Sequence, residues 1–326
     1  MGAPVRKDEG SATHIGKPIF VLGSFVLSCS AKVPRFPQDG ESLAAEIVTI
    51  EPGGKGFNIA VAARRLGARV DGLLAVGDDL PSAFAEPALT SAGLPQAMLL
   101  RLPGRTGSGV GFTDGRGETR IAVDAGVNRA ISAAHVRTAS ERIAASAMVT
   151  AQFEIADEPI REAFALARQA GIPTLLNPSP FRPVTPDILA TTSILIVNET
   201  EAAGLARSLA LGADGPVLPD GFARHLGPAL LGLGPELVVL TRGAEGALAL
   251  TRDGVTAQPA LQVTSVDSLG AGDAFAAALA VALAEGRALG DAMGWAAAAG
   301  ALTTTRTGVF DALPWRKELE SLVSAA

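Results

Sequence analysis

The first clear pattern is Pro18 to Gly23, PIFVLG, a short apolar run closed by glycine, as in a buried parallel strand. From Ser24 to Val33 the pattern changes to alternation. Val26, Ser28, Ser30 and Lys32 fall on one face, and Phe25, Leu27, Cys29 and Ala31 on the other. A second extended segment is expected at about 42–50. Glycines then open a helix whose apolar positions Ile59, Ala62, Ala63 and Leu66 recur at helical spacing before Gly67 ends it. Val70 to Val76 reads as the next strand. Segments 106–112 and 119–124 flank Asp114-Gly115 and Gly117, a hairpin signal.

After Asn128, strand-like runs at 148–153, 174–177, 194–198 and 237–241 alternate with helical ones, the pattern of a parallel sheet covered on both faces. Further strands are expected at 246–251 and 262–266, and a loop at 212–221, where Gly, Pro and Asp dominate. The segments at about 26–50 and 105–124 interrupt the alternation and can pair into a small sheet. Projecting from the carboxyl ends of parallel strands, that sheet would cover the ligand site of such a fold. The expected organisation is a loose polar tail at 1–17 and one α/β domain at 18–326 with a lid.

The chain has 326 residues, 48% hydrophobic and 18% charged, with a formal net charge of -6. It is long enough to bury a large core. The acidic balance argues against nucleic-acid or anionic-membrane partners. No apolar run is long enough to span a bilayer, and the first residues hold no apolar stretch of a secretory signal. The single cysteine, Cys29, permits no internal disulfide, and a cytoplasmic location is expected.

Four short segments carry candidate chemistry. In Asp267 to Phe275, DSLGAGDAF, Gly270, Ala271 and Gly272 precede a helix expected to begin near Asp273. Unpaired N–H groups at a helix start favour an anion, and glycine lets a phosphoryl group approach the backbone. Asp273 can accept a proton from an attacking hydroxyl, or serve simply as an N-cap. In Gly53 to Asn58, glycines again open a helix, with Lys55 and Asn58 available to a polar ligand. The spacing is neither a Walker A loop nor a dinucleotide fingerprint. Val197 to Glu201, VNETE, puts hard oxygen ligands suited to Mg²⁺ at a strand's end, or reads as a solvated helix start. Thr241 to Gly246, TRGAEG, is a turn that can contact nucleotide phosphate or be a plain hairpin. All four lie where a parallel strand gives way to a loop or helix, the edge where such proteins bind ligands.

GGKGFNIAVAARRLGA and DSLGAGDAFAAALA, with VNETE and TRGAEG in order between them, resemble the ribokinase-like carbohydrate kinase family, often called PfkB, from about Ile19 to Arg316. The AVDAGVNRAIS stretch resembles the ribokinase branch. The resemblance implies an α/β, three-layer ribokinase-like sandwich with a mostly parallel sheet and a small β-sheet lid. It implies transfer of the γ-phosphate of ATP to a hydroxyl of a sugar or sugar derivative. Asp273 matches the general base, and Gly270, Ala271 and Gly272 the anion hole, with Gly272 also on the nucleotide. Asn198 and Glu201 match the motif that organises Mg²⁺ and phosphates, partly through water. Thr241, Gly243 and Gly246 match the nucleotide loop. Gly54, Lys55, Asn58 and Glu154 match sugar-contacting positions. Asp267, Thr303 and Gly308 fall where many members bind K⁺, although Ala312 stands where ribokinase-type chains carry Ser.

One departure bears on the substrate. Relatives of ribokinase carry Asn and Asp two residues apart after the first strand, and these bind sugar hydroxyls. Here Val26 and Ser28 occupy the two positions, with Ser28 keeping a substrate-facing hydroxyl. A diol site would lose roughly 2–4 kcal/mol by that change. D-Ribose is therefore not expected to be the best substrate. A deoxy, aminated or acidic sugar, or another polyol, is open. Lys32 is expected on the exposed lid surface. A nucleoside kinase of the same fold would need an aromatic wall, for which Phe25, Phe112 and Phe153 are the candidates. A non-catalytic sugar sensor would have lost the base or the anion hole, and both are present. The unpaired edges of the lid predict a homodimer formed through it.

Overall fold

The computed structural model describes residues 16–116, 119–211 and 218–325. Residues 1–15 of the expected tail, Gly117 of the expected hairpin turn and 212–217 of the expected loop lie outside the described residues.

Two sheets organise the chain. The larger contains β1 (Ile19–Ser24), β4 (Val70–Val76), β5 (Leu99–Arg101), β8 (Met148–Gln152), β9 (Thr174–Asn177), β10 (Ile194–Asn198), β11 (Leu237–Thr241), β12 (Ala247–Thr251) and β13 (Gly254–Gln258). Its order is β13-β12-β11-β10-β9-β8-β1-β4-β5. It is parallel from β5 to β11, and only β12 runs against its neighbours at the far edge. All six residues of β1 and all five of β8 are buried, because helices cover both faces. Phe57, Ile59, Leu74, Leu279 and Trp295 belong to the core on one face, and Phe20, Leu22, Phe164, Leu205 and Phe222 to the core on the other. The result is the three-layer α/β arrangement expected.

The longer helices are α1 (Lys55–Arg65), α2 (Ala85–Ala92), α3 (Asp157–Gln169), α4 (Glu199–Ser208), α5 (Ala271–Ala284), α6 (Leu289–Thr304) and α7 (Arg316–Ala325). Residues 273–282 of α5 are all buried, between α1 and α6, which is why the helix is apolar all round rather than striped. The start of α1 is pressed onto the end of β1. A Cβ on Gly56 would sit 2.4 Å from the Ser24 nitrogen, and one on Gly23 would sit 2.5 Å from the Gly56 Cα. These two glycines permit the close approach that brings Lys55 and Asn58 to the sheet's carboxyl edge.

The smaller sheet contains β2 (Val26–Lys32), β3 (Ile47–Gly53), β6 (Gly107–Thr113) and β7 (Thr119–Asp124), in the order β3-β2-β6-β7. The two interrupting segments pair as expected. Cys29 stands opposite Ile50 and Val110, and Ala31 opposite Val48 and Phe112, so one lid face is apolar. Ser28 stands opposite Glu51 and Gly109 on the other face.

Several boundaries differ from the sequence reading. The segment expected at 42–50 forms β3 later, because its ladder with β2 runs on to pair Val26 with Gly53. Pro52 is tolerated because β3 is an edge strand. No strand forms at 262–266. The strand is β13, joined to β12 by a tight turn at Arg252-Asp253 with Gly254 at φ +144°. The Asp-Gly turn signal was there to be read. Helix α5 starts at Ala271, two residues before Asp273.

Candidate active site

Helices α1 and α5 both start at the carboxyl edge of the large sheet, each after a glycine with positive φ: Gly54 at 96° and Gly270 at 75°. Both positions require glycine for space as well. A Cβ on Gly54 would lie 2.9 Å from the Val26 nitrogen, and one on Gly270 would lie 2.7 Å from Val309 Cγ1. Gly272 differs, since a Cβ there meets nothing within 4 Å. The first turn of α5 therefore faces open space with its amide N–H groups forward, the geometry of an anion cradle.

Asp273 is in that first turn and is buried, 4% exposed. Its Oδ2 accepts a hydrogen bond from Asn58 Nδ2 at 2.8 Å, and Lys55 Nζ stands 3.6 Å from its Oδ1. That Oδ1 is buried and has no hydrogen-bond partner. Asn58 Oδ1 is unpartnered in the same way. Burial opposes the charge on Lys55, but Asp273, Glu154 and Glu201 outweigh it and hold the amine above its ordinary value. Lys55 is thus a fixed cation among three acids.

Glu154 follows β8 and accepts from Ser24 Oγ and from the Lys55 backbone N–H at 2.9 Å. Its carboxylate sits at the start of α1, where the helix dipole favours a negative charge. Ser28 reaches the same region from the lid. A Cβ on Gly53 would be 3.2 Å from Ser28 Oγ and 3.9 Å from Asn58 Oδ1.

Asn198 and Thr241 are adjacent in register at the ends of β10 and β11. Asn198 caps α4. Its side chain accepts from the Glu201 N–H at 2.8 Å, and Glu201 Oε2 accepts from the Asn198 N–H at 2.9 Å. The motif is thus a capping box as well as a candidate site. Burial pushes the Glu201 carboxyl up. The turn Thr241 to Gly246 is a hairpin connection between β11 and β12. Gly246, at φ +87°, has a structural need for glycine, since a Cβ would lie 2.2 Å from the Gln258 carbonyl oxygen. Gly243 opens onto free space. Sequence reading left phosphate contact and hairpin as alternatives here; the hairpin is formed, and Gly243 leaves room for a ligand.

Asp267 is buried and accepts from the Leu269 N–H at 3.0 Å and the Gly308 N–H at 3.1 Å. It ties the loop before α5 to the loop after α6. Thr303 is buried and donates its hydroxyl to the Ala299 carbonyl. Among the described residues no three His, Cys, Asp or Glu side chains are grouped to hold a metal ion.

Sequence reading missed two groups. Ser24, at the end of β1, holds Glu154. Glu51, opposite Ser28, accepts from the Val309 N–H at 3.3 Å, and burial pushes its carboxyl up. The alternating charge and apolarity of β3 was the available signal for Glu51. The aromatic wall offered for a nucleoside is not built: Phe25 and Phe153 are buried in the core, and Phe112 lies on the lid face with Cys29. Lys32 is half exposed and pairs with Glu46 at 3.3 Å, as expected of a surface lysine.

The fold has counterparts among known proteins. An Arabidopsis thaliana ribokinase solved in complex with ribose and ATP superposes with a TM-score of 0.84 at 25% identity, covering 94% of this chain and 98% of that one. The ribokinase of Bacillus subtilis (strain 168) is 31% identical over 306 residues, 94% of this chain and 99% of the relative. A deoxyribokinase of Salmonella typhi is 32% identical over 260 residues, 79% of this chain and 82% of the relative. Fold and sequence likeness together are those of a carbohydrate kinase, a phosphotransferase with an alcohol acceptor, on the ribokinase branch. A family model described as pfkB family carbohydrate kinase matches residues 17–316, and the chain belongs to that family.

Proposed function

We propose that the protein transfers the γ-phosphate of ATP to a hydroxyl of a sugar or sugar derivative, with Asp273 as general base. The observation that carries this is the Oδ1 of Asp273 in the first turn of α5, buried, near Lys55 Nζ and without a hydrogen-bond partner. A sugar hydroxyl placed there donates its hydrogen bond to Oδ1. As the hydroxyl oxygen bonds to the γ-phosphorus, its proton passes to Asp273, and the bond from that phosphorus to the β–γ bridging oxygen breaks to leave ADP. Charge gathering on the phosphoryl oxygens is met by the amides of Gly270, Ala271 and Gly272. Asn58 holds Asp273 in place, and Gly54, Lys55, Glu154 and Ser28 line the sugar side. ATP as donor is supported by likeness to the Arabidopsis ribokinase. Thr241 and Gly243 take the nucleotide phosphates, with Gly246 shaping their turn.

Mg²⁺, which would neutralise the phosphates, fits here only as a metal that keeps its own waters, near Glu201 and Asn198, because both side chains are engaged in the capping box. A monovalent cation such as K⁺ fits by carbonyl oxygens around Asp267, Thr303 and Gly308. The Asp267 oxygens already accept N–H groups, and Ala312 offers no side-chain oxygen.

The lid is proposed to pair with the lid of a second copy. No helix among the described residues is long and apolar enough to cross a membrane.

The test is ADP release from ATP and Mg²⁺, with K⁺ present, across sugars, sugar acids, polyols and nucleosides. Turnover of one compound, lost by at least about a hundredfold in Asp273→Asn, supports the reading. ATP bound with no acceptor used by a stable protein, across the whole panel, would count against it.

A further inference from the structure

We infer that Glu51 is a specificity-determining carboxylate of the sugar cleft, selecting a neutral sugar with a vicinal diol and excluding sugar acids. This rests on the kinase reading above.

Three observations put Glu51 beside the cleft. In register it stands directly opposite Ser28, which in turn stands opposite Gly109. Two residues on, and so on the same strand face, Gly53 points at Ser28 Oγ and at Asn58 Oδ1, the residue that holds Asp273. At its tip, Glu51 Oε1 accepts from the Val309 N–H, and Val309 is the residue that packs over Gly270 at the start of the cradle. Glu51 therefore spans from the lid root to the loop at 308–310 that packs over the start of the cradle, where Asp267 and Asp311 also act on its carboxyl.

The chemistry of the position is unusual for a structural acid. Glu51 is half-buried and has no ion-pair partner among the described residues. Its contacts are backbone N–H groups of Val309 and Phe310. An ionised carboxylate has about four acceptor sites, so capacity remains for donors arriving from the cleft. Two adjacent hydroxyls match a carboxylate's two oxygens. Toward β6 and β7 this lid face is apolar, with Val26 and Ile121 beside Gly109 and Val123 opposite it, while Ser30 and Thr49 continue it beyond Ser28 and Glu51. One charged acceptor beside apolar side chains suits a sugar that offers a hydroxyl edge and a C–H face. An anionic sugar would meet Glu51, Glu154 and Asp273 with Lys55 as the neighbouring cation, and Lys55 is already engaged by Asp273. The diol acceptor that β2 lacks at Ser28 is thus supplied across the ladder by β3.

Three variants test this against D-ribose, 2-deoxy-D-ribose and D-gluconate, with KM and kcat for sugar, KM for ATP and melting temperature as readouts. Glu51→Gln keeps the acceptor for the Val309 N–H but removes the charge. Glu51→Ala removes both. Glu51→Ala with Ser28→Asp moves the carboxylate to the opposing residue. The expected result is a rise of roughly tenfold or more in KM for the neutral diol sugar in both single variants, with kcat and the KM for ATP little changed. The preference for neutral sugar over D-gluconate should shrink, and the double variant should recover part of the lost affinity. An unchanged sugar KM in Glu51→Ala overturns the inference. So does a change confined to melting temperature or to the KM for ATP, which would make Glu51 a support for the 308–310 loop. If the unsubstituted protein turns over none of these sugars and no other panel member, the kinase reading fails and takes this inference with it.

Discussion

Asn58 and Asp273 are 215 residues apart in sequence, yet Asn58 Nδ2 donates to Asp273 Oδ2 at 2.8 Å. The bond fixes the carboxylate so that Oδ1, not Oδ2, is left for a donor from the cleft. Its geometry depends on α1 and α5 packing together at their starts, which Gly23, Gly56 and the small residues of α5 allow.

Asn58→Ala should therefore lower kcat by roughly tenfold to a hundredfold, with a smaller effect on the KM for ATP. Asp273 would keep its charge and its neighbour Lys55 but lose the bond that orients it. Steady-state kinetics on the preferred sugar, beside a melting curve to confirm folding, make the check. A kcat equal to that of the parent would remove Asn58 from the machinery.

Gly270 and Gly272 should separate folding from chemistry. Gly270→Ala puts a side chain at positive φ and 2.7 Å from Val309 Cγ1, so it should destabilise the protein. Gly272→Ala meets no protein atom and lies inside a helix, where alanine is favoured by about 1 kcal/mol. That variant should melt at or above the parent temperature and still lose about a hundredfold in kcat, because its methyl occupies the space for the phosphoryl group. Full activity in Gly272→Ala would mean that the phosphoryl group lies elsewhere.

The parts of this site that were legible in the sequence are those written locally. Gly270, Gly272 and Asp273 sit within four residues, and Lys55 and Asn58 share one turn of helix with the glycine before it. The alternation of β2 separated the two lid faces, with Ser28 on one and Cys29 on the other; which of them faces the cleft comes from the fold, where Ser28 Oγ lies by Gly53. What was not legible depends on chain segments far apart. Glu51 gains its place from Val309, 258 residues on. Ser24 matters because it donates to Glu154 and accepts from the Gly56 N–H. The strand expected at 262–266 has residues suited to a strand, but the place beside β12 is taken by β13, formed from the segment directly after the Asp253-Gly254 turn.

The C-terminal helix should make stability sensitive to acid. Arg316 at the start of α7 donates to both oxygens of Glu285, at 2.6 and 3.0 Å, and Arg287 donates to the same carboxylate. Burial pushes Glu285 up, but Arg316 and then Arg287 pull it further down, so the group ends below its ordinary value. A carboxyl depressed on folding adds stability above its unfolded pKa of about 4.3 and loses it as pH falls through the lower folded value. Glu285→Gln should thus cost about 1 kcal/mol at pH 7, discounted for partial exposure. The gap from the parent should close below about pH 4. Urea unfolding at a series of pH values measures it, and a gap constant with pH would show that the charge is not the cause.

The lid's outer face gives the last prediction. Val48, Ile50 and Val110 are each more than half exposed there, and Phe112 is 37% exposed beside them. They are next to one another in the ladders with Ala31 and Cys29, so they form one patch rather than scattered residues. A contiguous apolar patch on a sheet with open edges favours burial against a like surface, and a two-fold pair of lids would cover both copies' patches at once. Ile50→Lys with Val110→Lys places two like charges in that patch and, across the two-fold, opposite their own copies. The parent should sediment as a dimer and the double variant as a monomer. Asp273 and Asn58 should be untouched in the variant, because positions 50 and 110 point away from the cleft. A parent protein that is monomeric at micromolar concentration, or a double variant that remains dimeric, would show that this face is not where copies meet.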